Sequence, residues 1–215
     1  MGSSNGKRKR VLRIFVASLL FVAVGLGAGC LCALRDRNPG YTLNLSIPAT
    51  AATNQFRAGF ARLKINPDLV NSKRPIYLAG FRQNRKATAI HDDLWAVACV
   101  VDDGRTRLGI VALDAIGFFH DDVISVRKRL AKEWKLDYTI ICSTHNHTTP
   151  DLLGLWGPNY LRTGVNKDYR EQVIAASAQV LGDAVATLRP VNVAFHEIKT
   201  PTNGLVADLR RPEVF

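Results

Sequence analysis

His145 and His147 stand one residue apart in the run Ser143-Thr144-His145-Asn146-His147-Thr148-Thr149-Pro150-Asp151, directly after the apolar stretch YTIIC. Neutral imidazole is a common zinc ligand. Side chains two apart on a strand face the same side. A strand running on through His147 would therefore aim both rings at one place. Two ring nitrogens there can bind one metal, or one can bind the metal and the other the substrate. Catalytic zinc takes about three protein ligands and keeps an open position. It then lowers the pKa of its water and polarises a carbonyl.

Nearby carboxylates and histidines complete the inventory. Asp151 and Asp114 can each orient a metal ligand, and Asp114 serves equally to cap the turn after LGIVAL. His91, beside Asp92 and Asp93, is by its setting an ordinary loop histidine. Trp156 reads as a pocket-mouth aromatic or as loop packing. The H-x-H-x-D-H pattern of metallo-β-lactamases is not met, because Thr149 and Pro150 occupy its aspartate and histidine positions.

The elements that must position these residues follow from period and punctuation. Arg57–Ile65 alternates loosely as a strand, and Asn66-Pro67 ends it. Ile76–Phe81 is a short apolar run. Leu94–Val101 and Leu108–Leu113 read as a hairpin whose Asp103-Gly104 suits a two-residue turn. Val123, Ile124, Arg127, Leu130 and Trp134 keep helical spacing, with Asp121 and Asp122 at the helix start, where the dipole favours acids. His120 falls at that start. Tyr138–Ser143 is the strand before the histidines. A helix from about Asp168 to Leu188 carries the stripe Tyr169, Val173, Ala176, Val180, Ala184 and Leu188, and Pro190 stops it. Val191, Val193 and Phe195 alternate as a last strand, with His196 on its solvent side. Hairpins mixed with strand–helix–strand units predict an α/β or α+β fold, a mixed β-sheet with packed helices.

An N-terminal transmembrane helix precedes that fold. Residues 14–34 (IFVASLLFVAVGLGAGCLCAL) hold no charge and reach the ~20 residues a bilayer crossing needs. Lys7, Arg8, Lys9, Arg10 and Arg13 lie before it, which puts residues 1–13 in the cytoplasm and the folded part outside. A cleaved signal peptide, giving a secreted protein, is the other reading; its apolar core is normally ~7–15 residues, which favours the anchor. Residues 35–55 read as a linker and 56–215 as the folded part. The formal charge of +11 does not mark a nucleic-acid binder. Beyond the basic tail the excess is scattered and not interleaved with aromatics. Cys99 and Cys142 fall in buried strands, as free thiols or as a disulfide.

The run STHNHTTPD resembles the T-H-x-H motif of the neutral/alkaline non-lysosomal ceramidase family. RAGFARLKINP, AIHDDLWAVACVV, IVALDAIG and ADLRRP extend the resemblance over most of residues 56–215. The resemblance implies a Zn2+-dependent amidohydrolase that cleaves the N-acyl bond of ceramide. It implies His145 as a zinc ligand and His147 as the group meeting the substrate's polar head. Arg210, in Leu209-Arg210-Arg211-Pro212, matches the family's substrate-contacting arginine, and the family often has a histidine at the place of His91, which implies a pocket residue there. Two departures qualify it. A glycine-rich segment follows the family's motif proline, where this chain has DLLGLWGP, which suggests a broader ceramidase-like branch. The family's remaining zinc ligands, a histidine, a glutamate and a tyrosine, lie further along than Phe215. The 215 residues therefore resemble an N-terminal catalytic part expected not to hold zinc tightly alone. Its implied partners are a lipid or another N-acyl small molecule and, through residues 14–34, a membrane. The other readings are a membrane-tethered binding module and a metal-dependent hydrolase of a soluble amide or ester.

Overall fold

The computed structural model describes residues 3–33, 35–46 and 55–196. The chain divides into two compact units, the first ending at Asn44. In the first, α1 (Ser3–Ala33) contains the apolar segment Leu12–Cys32, 21 residues with none of its surface buried. At 1.5 Å per residue it is about 31 Å long, close to the ~30 Å of a bilayer core. It is a candidate membrane span, a test that an N-terminal signal sequence also passes.

The second unit is a five-stranded mixed sheet backed by helices. Its strands are β1 (Arg57–Lys64), β2 (Trp95–Asp102), β3 (Arg107–Leu113), β4 (Tyr138–Ser143) and the two-residue β5 (Arg189–Pro190), in the order β4-β3-β2-β1-β5. All neighbouring pairs are antiparallel except β3 and β4, which run parallel. A parallel pair needs a crossover. Here it contains α2 (His120–Arg127) and a 3-10 turn at Lys132–Trp134.

The helix α3 (Lys167–Ala186) lies over β1 and β2. Asn166 caps it, its side-chain oxygen accepting from the amides of Asp168 and Tyr169. Val100, Val111 and Leu113 of the sheet meet Val173, Val180 and Leu181 of α3, all fully buried. The opposite sheet face exposes Phe60, Val97 and Ile140 together with Arg62 and Lys64, whose cations lie over the Trp95 ring.

Three expectations are corrected. The β2–β3 loop has four residues, because Asp102 pairs with Arg107. Only Gly104 takes positive φ there, and the Asp103 side chain receives the amides of Arg105 and Thr106 instead. The helix expected over Val123–Trp134 breaks after Arg127. The strand expected at 191–196 does not form among the described residues: Val191 N–H donates to Phe56 O, and Val193 and Phe195 are exposed. Alternation without a partner strand buries nothing. Cys99 and Cys142 are free thiols, on strands separated by β3.

Asp102 ties the far end of the sheet. It is buried, and its Oδ2 receives Arg57 Nη2 at 2.7 Å and Arg107 Nε at 2.8 Å, while its Oδ1 receives Gly104 N–H at 2.7 Å. Burial alone would favour the neutral acid. The Gly104 amide and the two guanidiniums outweigh it and hold the carboxyl below its ordinary 3.8.

A depressed carboxyl stabilises the fold above its unfolded pKa and loses that contribution as pH falls through the folded value. Asp102→Asn should therefore remove part of the decline in unfolding free energy below the unfolded value of 3.8, measured by urea titration across acid pH. An unchanged acid limb would refute the assignment. Leu181→Ala should cost about 2–5 kcal/mol, since its Cδ2 stands 2.6 Å from where a Cβ on Gly109 would lie and the site cannot collapse freely. Val193→Ala should stay within about 0.5 kcal/mol. Equal losses for the two would contradict the packing described.

Candidate active site

Parallel strands β3 and β4 end side by side, which is where α/β sheets carry their ligands. Pairing continues beyond Ser143: Thr144 N–H donates to Leu113 O and Asn146 N–H to Ala115 O. Between them the chain turns, and His145 takes the left-handed φ of +60°. The strand therefore does not run on through the histidines, contrary to the expectation.

The rings converge all the same. The turn puts His145 Nδ1 2.7 Å from Ile116 O. A carbonyl only accepts, so Nδ1 holds the proton and the neutral ring keeps its lone pair on Nε2. His147 Nε2 lies 3.3 Å from that atom, with the rings edge to face at 4.9 Å. Two nitrogens bound tetrahedrally at ~2.0–2.1 Å from zinc would be about 3.3–3.4 Å apart. The separation suits both nitrogens on one zinc, and equally one nitrogen on zinc with the other against what the zinc binds. Among the described residues no group of three or more His, Cys, Asp and Glu gathers to hold an ion, so these two supply fewer than the usual complement.

A strap from Tyr77 to Lys86 holds His147 from the other side. Ala79 N–H donates to Thr149 O and Asp151 N–H to Tyr77 O, pinning the strap along 149–151. Arg85 Nη1 reaches the carbonyls of Ala79 at 3.1 Å and His147 at 3.2 Å. Its guanidinium also lies 5.1 Å from the centre of the Phe81 ring, which stands edge-on to His147 at 5.6 Å. Gly80 has φ +81°, and a Cβ there would lie 2.5 Å from His147 Cβ.

The carboxylates have separate duties. Asp114 Oδ2 accepts from Trp95 N–H at 2.9 Å, and its Oδ1 takes the Thr144 hydroxyl at 3.3 Å. It therefore joins the ends of β2 and β4 next to the histidines. Burial, then the charge of Asp114, pushes the Tyr169 phenol well above its ordinary 10.0, so it stays protonated. Asp151 is buried and spends both oxygens on the amides of Leu153, Gly154 and Trp156. That shapes the loop after the histidines and contacts neither ring.

His91 is exposed and pairs with Asp92 at 2.7 Å, whose hydrogen bond and charge raise its pKa above 6.5. A cleft of about 260 Å³ brings it together with Asn146, Thr148 and Pro150. The structure so joins His145 and His147 directly, adds Asp114 through Thr144, and sets His91 across the cleft from the same loop. Arg210 lies outside the described residues. Gly80, Phe81 and Arg85 were not among the sequence candidates. The only signal for them was a glycine–aromatic pair followed by two arginines.

No protein-family model and no curated protein sequence matches the chain. Two solved structures share its fold: a neutral ceramidase from Pseudomonas aeruginosa and a ceramidase complexed with C2. Each aligns at TM-score 0.52 and 20% identity, over 63% of this chain and 22% of its own. The likeness is one of fold, and the chain spans less than a quarter of those proteins.

Gly80→Ala should displace His147 while leaving the Nδ1–Ile116 bond of His145 in place. Ring resonances in 15N NMR report this: the His147 ring and the facing His145 Nε2 should shift, while His145 Nδ1 keeps the signature of its bond to Ile116 O. Unmoved His147 signals would show that the strap does not set its position.

Proposed function

We propose that residues 56–215 are part of the catalytic domain of a ceramidase-like zinc amidohydrolase, carried on a single membrane-spanning anchor. The observation that supports it most is the convergence of His145 Nε2 and His147 Nε2 at the carboxyl end of β4, on a fold shared with ceramidases. His145, fixed by Ile116 O in the tautomer that leaves Nε2 free, would hold the zinc. Zinc supplies a water of lowered pKa and polarises the amide carbonyl.

The chain's own groups do the positioning. His147 faces the space beside His145 and would contact substrate oxygen there, and Arg210 would steady the same substrate. His91 and the 146–150 loop line the cleft that would take the neighbouring part of the substrate. Asp114 acts through Thr144, holding the strand end that carries both rings. The net reaction is hydrolysis: water adds across the N-acyl bond to give a carboxylic acid and an amine. The substrate class is an N-acyl lipid such as ceramide. The basic N-terminal tail would stay in the cytoplasm, with the enzyme on the outer side.

The test is zinc content and amidase activity on an N-acyl sphingosine panel, using the longest natural form of the protein. His145→Ala should lose both zinc and activity. His147→Ala should keep zinc and lose about 10²–10⁴-fold in kcat, the usual range for a group acting on the reacting atoms. A protein that binds no zinc and cleaves nothing would replace this reading with a tethered binding module. Cleavage of short soluble amides alone would keep the hydrolase and discard the lipid.

A further inference from the structure

The strap and the loop after Asp151 form one surface whose composition is unusual for protein facing water. Gln83 locks them together. Its amide nitrogen donates to Leu155 O at 2.8 Å, and its oxygen accepts Gly157 N–H at 2.7 Å. Asn84 N–H adds a bond to Gly157 O at 2.7 Å. The loop is tightly built: a Cβ on Gly157 would lie 1.9 Å from Arg162 O, and one on Gly164 1.7 Å from Trp156 O. Asn159 closes a turn by receiving the amides of Leu161 and Arg162.

That turn carries apolar side chains at its tip, where turns normally carry polar ones. Tyr160 is 90% exposed and Leu161 95%; Phe81 on the strap is 78% exposed and Leu155 62%. Isolated exposed apolar residues are ordinary, but four on two joined loops are a patch. Cations stand among them. Arg82, Lys86 and Arg162 are exposed, and Arg82, Arg85 and Lys86 line one shallow basin of the strap. No Asp or Glu occurs between residues 73 and 91 or between 152 and 166. Apolar tips among unopposed cations match a bilayer surface, where hydrocarbon lies beneath anionic headgroups.

We infer that this surface docks on an anionic phospholipid bilayer. A protein partner would have to supply both an apolar floor and an acidic rim. A membrane supplies both, and the chain places a candidate span within reach: only about two dozen residues separate Cys32 from β1, ~80 Å at full extension. The inference stands without any hydrolase activity.

Hydrogen exchange on the full chain in lipid nanodiscs tests it. Discs of phosphatidylcholine are compared with discs that also contain phosphatidylglycerol. Amides of 80–86 and 157–163 should exchange at least about tenfold more slowly in the anionic discs, with α3 unchanged, since each surface cation adds roughly fivefold in binding. The triple variant R82E/K86E/R162E should abolish the difference, and L161D should reduce it. Equal exchange in both discs overturns the inference, whether fast (no contact) or slow (covered by other polypeptide or by lipid of any charge). Protection by millimolar inorganic phosphate in neutral discs also overturns it, leaving an anion site in the basin.

Discussion

The carbonyl of Ile116 lies 2.7 Å from His145 Nδ1, and because a carbonyl can only accept, it dictates the tautomer of that ring. The rest of the site is arranged around this one bond. Ile116 is where it is because β3 has just ended. His145 is where it is because β4 runs parallel to β3 and stops beside it. The left-handed turn at His145 swings the ring back toward β3. The 3.3 Å approach of the second imidazole then depends on a ring already locked in place.

The second constraint comes from outside the sheet. His147 has no strand to hold it, so the strap does. Arg85 bridges two carbonyls and stacks on Phe81, and Gly80 leaves the room the ring needs. Phe81 itself has φ +42°, a costly conformation for a bulky residue. Its neighbours over-determine it, as strained residues near functional sites require. The arrangement sets one imidazole by the sheet and the other by a loop.

Much of this was legible in the sequence, for physical reasons. β4 was readable with the bounds Tyr138–Ser143 because an unbroken apolar run before polar residues has few other uses. The apolar stripe of α3 was readable because Tyr169, Val173, Val180 and Ala184 recur at helical spacing and share a buried face. The strap was not. Its residues show no period, and each takes its meaning from partners far along the chain, such as Thr149 for Ala79 and His147 for Arg85. The reverse error occurred at 191–196, where alternation is real but no strand lies opposite among the described residues. The H-x-H spacing pointed to converging rings by the wrong route, since a turn and not a strand brings them together.

The Gln83 clamp also bears on the order in which the molecule is made. Its two bonds join residues 72 and 74 apart in the chain, whereas β2 and β3 meet across a four-residue loop. Long closures cost more chain entropy before any contact rewards them. The hairpin is thus the early structure, and the strap over the histidines is the late one. The strap's outer residues Phe81, Arg82 and Asn84 are exposed, and segments with exposed, late-forming contacts open first. A nearly native chain can keep its whole sheet and α3 while the histidine pair has come apart, so loss of the site would precede loss of the fold.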